Sequence, residues 1–437
     1  MAAGTFAGMT TNTGAPGSIT QRQVAAAVVG NALEFYDFTT YAYFATQIGH
    51  AFFPSASAFV SLLLSLITFG VGFVLRPLGA VVIGRYADRH GRKSAMLLSF
   101  ALMGVGILGL ALTPGYVKIG LAAPILVVIW RLCQGFALGG EVGATTAYLI
   151  ESAPATKRAL YAAWQNISQN LAAIVGGLVG LTLTGLLGTA ALDAWGWRIA
   201  FILGALVLPA GLWLRRDLAE TLHHEEQVTI HQPAVAGLWA HRRIIFLGLA
   251  LIAASTVSNY VLTYMTTYAR ETLHMGASIS LAAPIANGAA GAVFGLLGGW
   301  LADRYGRKHL LFWPRLAFVL LAWPAFALMV RYHNAAALLA GTFVLSATSA
   351  MIGAALYTAI SESLRKEVRG LVFGSIYAIA VAVFGGTTQP MIAWLVHVTA
   401  NPLAPMWYAL AFGVIGLVAA ALIRETAPVK TSSVASV

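Results

Sequence analysis

Twelve apolar runs, each long enough to cross a lipid bilayer, decide what this chain can fold into. A bilayer core of about 30 Å takes about 20 apolar residues of helix. Runs of that order fall at 24–47, 59–83, 94–114, 121–149, 160–187, 197–214, 244–268, 279–302, 310–330, 336–361, 371–397 and 404–423. Only 9% of the residues are charged and 59% are hydrophobic, against roughly 25% charged in soluble domains. Such a chain has no polar skin to present to water, so the bilayer is its solvent. Backbone groups in lipid must be satisfied within the segment, which makes each run a helix. The expected fold is an all-α membrane protein of twelve transmembrane helices.

The net charge of +11 raises the question of an anionic partner, but the basic residues sit scattered in short loops. No single patch for nucleic acid forms, and nucleic acid is not an expected partner. The basic residues sort instead by side. With the N-terminus taken as cytoplasmic, nineteen of the 26 Lys and Arg residues fall on inside segments, and outside loops hold only Lys118, Arg270 and Arg331. The positive-inside rule then puts both termini in the cytoplasm. Arg76, Arg131, Arg198 and Arg315 fall within or at the ends of spans and need another explanation. Residues 1–19 are small and polar without a basic start, which is not a signal-peptide pattern.

The longest inside segment, 215–243, divides the runs six and six, and the two halves repeat each other. "GRYADRHGRK" (84–93) and "GWLADRYGRK" (299–308) agree at seven of ten positions, each between the second and third span of its half. "ESAPATKRA" (151–159) and "ESLRKEVRG" (362–370) follow each fourth span with Glu, Ser and Arg in register. The expected organisation is a tail at 1–19, an N-terminal half at 20–214, a linker at 215–243, a C-terminal half at 244–424 and a tail at 425–437. Two parallel six-span repeats place a binding site near mid-membrane, between the halves.

The duplicated Gly-x-x-x-Asp-Arg-x-Gly-Arg-Lys loop resembles the signature of the major facilitator superfamily over about residues 20 to 425. More narrowly, "GNALEFYDF" from Gly30, "RPLGAVVIGRYADRHGRK" from Arg76, "RLCQGFALGGEVG" from Arg131, "WGWRIAF" from Trp195 and "VFGGTTQP" from Val383 resemble the metabolite–proton symporter branch. That branch carries α-ketoglutarate, citrate, shikimate or proline and betaine. The resemblance implies a bacterial-type inner membrane, a monomer and a proton as coupling ion with no other cofactor. Osmosensing members often carry a long C-terminal coiled coil. Only thirteen residues follow Arg424 here, without heptads, so regulation by that device is not expected.

Glu34 and Asp37 lie on adjacent turns of one helix face, with Tyr41 one turn further. A carboxylate at mid-membrane costs about 2.5–3.5 kcal/mol on insertion scales and marks a cavity or a cation. Arg131 in the fourth span is the natural partner. Burial and a nearby guanidinium pull a carboxyl in opposite directions, so a conformational change can load and release a proton. A static ion pair joining the first and fourth spans is the competing reading. Glu141, in the same span as Arg131, is a second candidate titrating group, or a buried pair with another helix. Gly135, Gly139 and Gly143 form a packing stripe, and Gln134 is the polar extra beside it.

Substrate contacts are expected from Arg76, whose guanidinium matches a carboxylate with two parallel donors, unless it only snorkels. Arg131, Tyr41 and Gln134 join it. In the fifth span Gln165, Asn166, Gln169 and Asn170 make one polar stripe, more amides than helix glue needs. The second half offers thinner candidates in Asn259, Tyr260, Asn287, Tyr357 and Gln389, residues that often just bridge helices.

Gating is expected at the repeated loops. The resemblance implies that Asp88 accepts from a neighbouring helix N-terminus and from arginines, closing the cytoplasmic side, with Asp303 doing the same in the second half. Arg89, Arg92, Arg304 and Arg307, with Glu151, Arg158, Glu362 and Arg369 of the second repeat, complete that network. Headgroup anchoring explains the basic residues of these loops but not the repeated Asp.

Other chemistry finds little support. "HHEE" (223–226) reads as a solvated linker rather than a metal site, and the single Cys133 rules out an intramolecular disulfide. No phosphate-binding Gly-rich loop and no nucleophile–base cluster appears, so neither ATP drive nor an enzyme is expected. The expected function is proton-coupled import of a small organic anion, a di- or tricarboxylate such as citrate or α-ketoglutarate. A zwitterion or polyol such as betaine, proline or shikimate is the alternative. A proton-driven exporter and a non-transporting receptor or scaffold rank below both.

Overall fold

The structure, a computed structural model, describes residues 31–32, 35–90, 92–139, 153–216, 242–364 and 366–431, without the side chains of 87, 88, 92, 93, 96, 155, 207–216, 366–371 and 431. The linker expected at 215–243 lies almost wholly outside these residues. So do Glu34, Glu141 and Glu151, and the side chains of Asp88, Arg92 and Arg369.

Twelve crossings follow in order. Helix α1 covers 35–52 with a turn at Phe44. Helix α2 is Ala58–Val74 continued by Arg76–His90, α3 is Arg92–Leu112 and α4 is Ala122–Gly139. Helix α5 is Arg158–Ala191 and α6 is Trp197–Arg216, joined by a π-helical turn at Leu192–Gly196. In the second half α7 is Arg242–Thr263, running on to a π-helical turn at Tyr268–Thr272. Helix α8 is Ala277–Tyr305, α9 is Arg307–Tyr332 and α10 is Ala335–Glu362. Helix α11 is Lys366–Ala380 and Gly386–Thr399 around a π-helical turn at Val381–Gly385, and α12 is Ala404–Leu422. Nine of the described segments are long and apolar enough to cross a bilayer, and one of these, Arg158–Leu206, holds two crossings. Leu97–Leu112 is a shorter apolar stretch, and the first span is described only in part.

The ends of the helices obey local chemistry. Asn334 caps α10, its side chain accepting from the Ala337 N–H at 2.8 Å. The turn between α8 and α9 is a single residue, Gly306, at φ +107°, a conformation that side-chain-bearing residues rarely adopt. In this copy of the loop, that is why Asp-Arg-x is followed by Gly.

Lipid and protein interior are both apolar, so packing here depends on close backbone approach rather than on hydrophobicity. Helix α4 lies on α2 with Gly135 against the Gly72 carbonyl and Gly139 against the Arg76 carbonyl, which leaves no room for a Cβ at either position. The expected Gly stripe is therefore a helix contact as far as the described residues reach. The halves meet along two seams, α5 with α8 and α10, and α2 with α11. In the first seam Gly291 and Gly353 lie against the amides of Asn170 and Asn166, letting polar side chains of one half enter the other. Outward, large apolar side chains such as Leu186, Leu206 and Phe246 are exposed, with Trp313, Trp323 and Trp407, as a lipid-facing surface requires.

Candidate functional site

A cavity of about 120 Å³ lies between the halves, walled by α1, α2, α5, α7, α8, α10 and α11. Its polar lining is amides, hydroxyls and phenols, with Arg76 as the one charged side chain among the described residues. Of the expected substrate contacts, Arg76, Asn166, Gln169, Asn259, Asn287 and Tyr357 line it, as do Asn170 and Tyr260. These residues come from both halves, which the sequence repeat requires of a shared central site.

Arg76 begins the second segment of α2. Its guanidinium lies 4.1 Å from the Phe73 ring centroid and 4.8 Å from that of Phe38. Phe38 is shared with Arg131, whose guanidinium lies 5.3 Å from the same ring. Arg131 also stands 4.4 Å from the Tyr41 ring. Cations over aromatic faces gain from the ring quadrupole, more so when water is excluded.

Asp37 and Arg131 face each other at 4.0 Å, both at most 2% exposed. The contact is long for a direct hydrogen bond, and Asp37 Oδ1 has no hydrogen-bond partner among the described residues. Arg131 donates instead to Gln134 Oε1 at 2.7 Å. Asp37, Arg131 and Gln134 thus form one dry cluster behind the cavity wall rather than on it. Tyr41 belongs to the same layer, fully buried, donating to the Ser65 carbonyl at 3.2 Å.

Besides Tyr41, Arg131 and Gln134, two further expected substrate contacts lie off the cavity lining. Gln165, grouped with the amide stripe by its spacing, exchanges hydrogen bonds with Asn31 of the first span and is 2% exposed. The stripe is wider than the cavity, so its edge turns toward a neighbouring helix. Gln389 is fully buried in α11 away from the cavity lining, and its amide finds no partner among the described residues.

The four arginines left over from the charge sorting divide by role. Arg76 lines the cavity, and Arg131 joins Asp37. Arg198 ties α6 to α3, donating to the carbonyls of Ala111 and Thr113 at 2.7 and 2.8 Å, which the C-terminus of α3 leaves free. Arg315 is held by Ser255 and Ser258 of α7.

Each end of the cavity is tied across the halves. At the end carrying the repeated loops, Asp303 accepts from the Ala159 and Leu160 N–H groups at the start of α5, at 3.1 and 2.9 Å. A carboxylate on a helix N-terminus satisfies orphan donors and the helix dipole together. Arg307 pairs with Asp303 at 2.7 Å and with Glu362 at 3.3 Å, while Arg158 reaches Glu362 from the other half at 3.6 Å. Glu425 accepts from the Arg307 and Lys308 N–H groups at 2.8 and 3.1 Å. Arg89 and Arg304 are exposed, Arg304 stacking over Trp300 and Tyr305.

At the opposite end Asp193, in the turn after α5, pairs with Arg270 at 2.6 Å and accepts from Gln47 at 2.9 Å. Glu271 accepts from Thr46 at 3.0 Å. Asp193 and Glu271 were not singled out in the sequence because they stand alone in short loops, without a repeat. The hydroxyls that line the cavity, Thr39, Ser255, Thr256, Thr263, Ser346 and Ser349, were also missed. Ser and Thr are common in membrane helices, and only their convergence on one cavity sets these apart. Among the described residues no cluster of three metal-ligating side chains forms.

With this geometry in view, comparison with known proteins is specific. The Major Facilitator Superfamily pattern matches residues 27–386 and 285–436. The chain is 36% identical over 399 residues to the citrate-proton symporter of Salmonella typhi, covering 90% of this chain and 92% of that protein. It is 35% identical over 367 residues to the alpha-ketoglutarate permease of Escherichia coli (strain K12), covering 82% and 84%. A crystal structure of a D-xylose-proton symporter superposes with a TM-score of 0.72 at 18% identity, covering 93% of this chain and 98% of the other, and supports the fold alone. Twin Asp-Arg loops, two six-helix halves and a central polar cavity thus agree with a match along nearly the whole chain: it belongs to the Major Facilitator Superfamily, in the metabolite–proton symporter branch.

Proposed function

We propose that the protein is a proton-coupled symporter that imports a small organic anion, a di- or tricarboxylate such as citrate or α-ketoglutarate, by alternating access. One observation carries the reading. Among the described residues Arg76 is the one charged side chain of a polar cavity shared by both halves, and its guanidinium contacts the same Phe38 ring as Arg131 of the buried Asp37–Arg131 pair. The names of the relatives supply the substrate class and the coupling ion.

In this reading Arg76 holds a substrate carboxylate, and the amides of Asn166, Gln169, Asn259 and Asn287 take the remaining oxygens. Asp37 carries the proton. When it is neutral, Arg131 loses its counter-charge, and the Phe38 ring that both guanidinium groups contact passes that change to Arg76 and the anion. Glu34 and Glu141 are further titrating groups of the same scheme. The end bearing the Asp-Arg loops faces the cytoplasm, both termini lie there, and the protein works as a monomer in a bacterial-type inner membrane. The domain boundaries at 214 and 244 are those of the two rocking halves, and no cofactor beyond the proton takes part.

The test is uptake by the purified protein in liposomes under an imposed pH gradient, with labelled citrate and α-ketoglutarate and a pH-sensitive dye inside. Substrate and protons should enter together. Asp37→Asn should lose gradient-driven accumulation by more than about tenfold, since removing one member of a buried pair costs several kcal/mol. Proton-coupled uptake that survives Asp37→Asn and Glu34→Gln together would show that these carboxyls are not the coupling site.

A further inference from the structure

Arg315 differs from the other buried arginines in what it faces. It is 1% exposed in α9, and no carboxylate among the described residues lies within ion-pair distance of it. Its guanidinium donates to Ser258 Oγ at 2.9 Å and Ser255 Oγ at 2.7 Å, both on α7, with the Ala254 carbonyl at 3.5 Å. Gly416 of α12 closes its other side, where a Cβ would come within 3.2 Å of Nε. A full charge placed in a membrane helix against neutral hydroxyls is costly and is ordinarily retained for function.

The two serines are not equivalent. Ser258 is fully buried and gives its own proton to the Ala254 carbonyl at 2.9 Å. Ser255 is half-buried, lines the cavity, and donates to no acceptor among the described residues. A hydroxyl has one proton to give and two lone pairs to fill. With a guanidinium bonded to its oxygen, the Ser255 O–H is polarised as a donor, and the cavity it lines is where a ligand acceptor can meet it. Arg76 enters the same cavity from the N-terminal half, whereas α7 belongs to the C-terminal half.

We propose that Ser255, polarised by Arg315 behind it, is a second anion-reading position of the cavity, so that the site selects substrates with two or more carboxylates. One carboxylate rests on Arg76 and another on Ser255, and the substrate bridges the halves. A solute with a single negative group fills only one of the two. Arg315 is a positioning residue in this scheme, because it acts through the serine. The inference rests on the organic-anion reading given above.

The experiment is citrate uptake by the full chain in liposomes, comparing Ser255→Ala, Ser255→Thr, Arg315→Gln, Arg315→Lys and the double variant Ser255→Ala/Arg315→Gln. Loss of a charge-assisted hydrogen bond to substrate corresponds to about a tenfold change in affinity. Ser255→Ala should raise KM for citrate about tenfold with the maximal rate nearly unchanged, and Ser255→Thr should restore it. Arg315→Gln should raise KM similarly, Arg315→Lys less, and the double variant no more than either single change, as expected of residues acting in series. An unchanged KM in Ser255→Ala overturns the inference and leaves the organic-anion reading intact. So does a fall in maximal rate or protein yield in Arg315→Gln beside a normal Ser255→Ala, because Arg315 then only joins helices. If the unaltered protein moves neither citrate nor α-ketoglutarate, both readings fall.

Discussion

The two ends of the cavity are tied by the same kind of contact, carboxylate to arginine across the halves, yet they are built differently. At the end bearing the repeated loops Arg307 is 1% exposed, Glu362 6% and Asp303 9%, and both of these carboxylates are also anchored on backbone N–H groups or a hydroxyl. At the other end Asp193 and Glu271 are each 30% exposed and Arg270 is 21% exposed, and their partners are mainly flexible side chains. A buried, multiply anchored pair is strongly destabilised when one member is removed. A half-exposed pair in water is worth at most about 1 kcal/mol. The lesson is that one end is built as a rigid latch and the other as a light clasp, though a list of ion pairs would show them as equals.

The sharpest way to break that contrast is Asp303→Asn. It removes the charge facing Arg307 and weakens two N–H bonds to α5, and should cost about 3 kcal/mol in unfolding free energy with uptake reduced at least about tenfold. If it proves no worse than Asp193→Asn, the contrast between the two ends is wrong. Glu362→Gln comes next. It leaves Arg307 its Asp303 partner and keeps an acceptor for the Thr426 hydroxyl, so the loss should be about 1–2 kcal/mol, read by thermal unfolding in detergent.

Glu425 sharpens the contrast through pH. Burial works against its ionised form, but N–H donors from Ala427, Arg307, Lys308 and Thr426 outweigh that and hold its carboxyl below the ordinary 4.5. A carboxyl depressed in the folded state contributes stability fully above its unfolded value, and that contribution disappears as pH falls through the lower folded one. The melting temperature should therefore drop on acidification below about pH 4.5, and Glu425→Gln should flatten that limb. The carboxyl is half-exposed, so the effect should be modest. The smallest change is expected from Arg270→Gln, at most about 1 kcal/mol and diminished further by salt. A large, salt-independent loss there would show that the clasp is a second latch.

Much of the latch was legible because it is repeated. Asp303, Arg307 and Glu362 stand in decapeptide and nonapeptide copies, and no packing requirement alone makes a chain write Asp-Arg-x-Gly-Arg-Lys twice. Gly306 explains part of that spelling, since its φ of +107° strains any residue bearing a Cβ and the Glu425 carboxylate beside it would have to shift to admit one. The clasp was not legible, because Asp193 and Glu271 are single acids in short loops. Arg76 and Asp37 announced themselves by the cost of charge in lipid. Ser255 did not, since a serine in a membrane helix can satisfy itself on its own backbone, as Ser258 does.

By itself the sequence determined twelve crossings, two equivalent halves and the residues too polar for lipid to be idle, because hydration cost is a property of each side chain. Only the tertiary structure decided which of those residues share a cavity. Helical periodicity gives the angle at which a side chain leaves its axis, but lipid and protein interior are equally apolar. Hydropathy therefore cannot say which face meets which neighbour. That is why Gln165 turned to the first span, Asn166 and Asn170 crossed the seam through Gly353 and Gly291, and Arg315 came to rest behind Ser255.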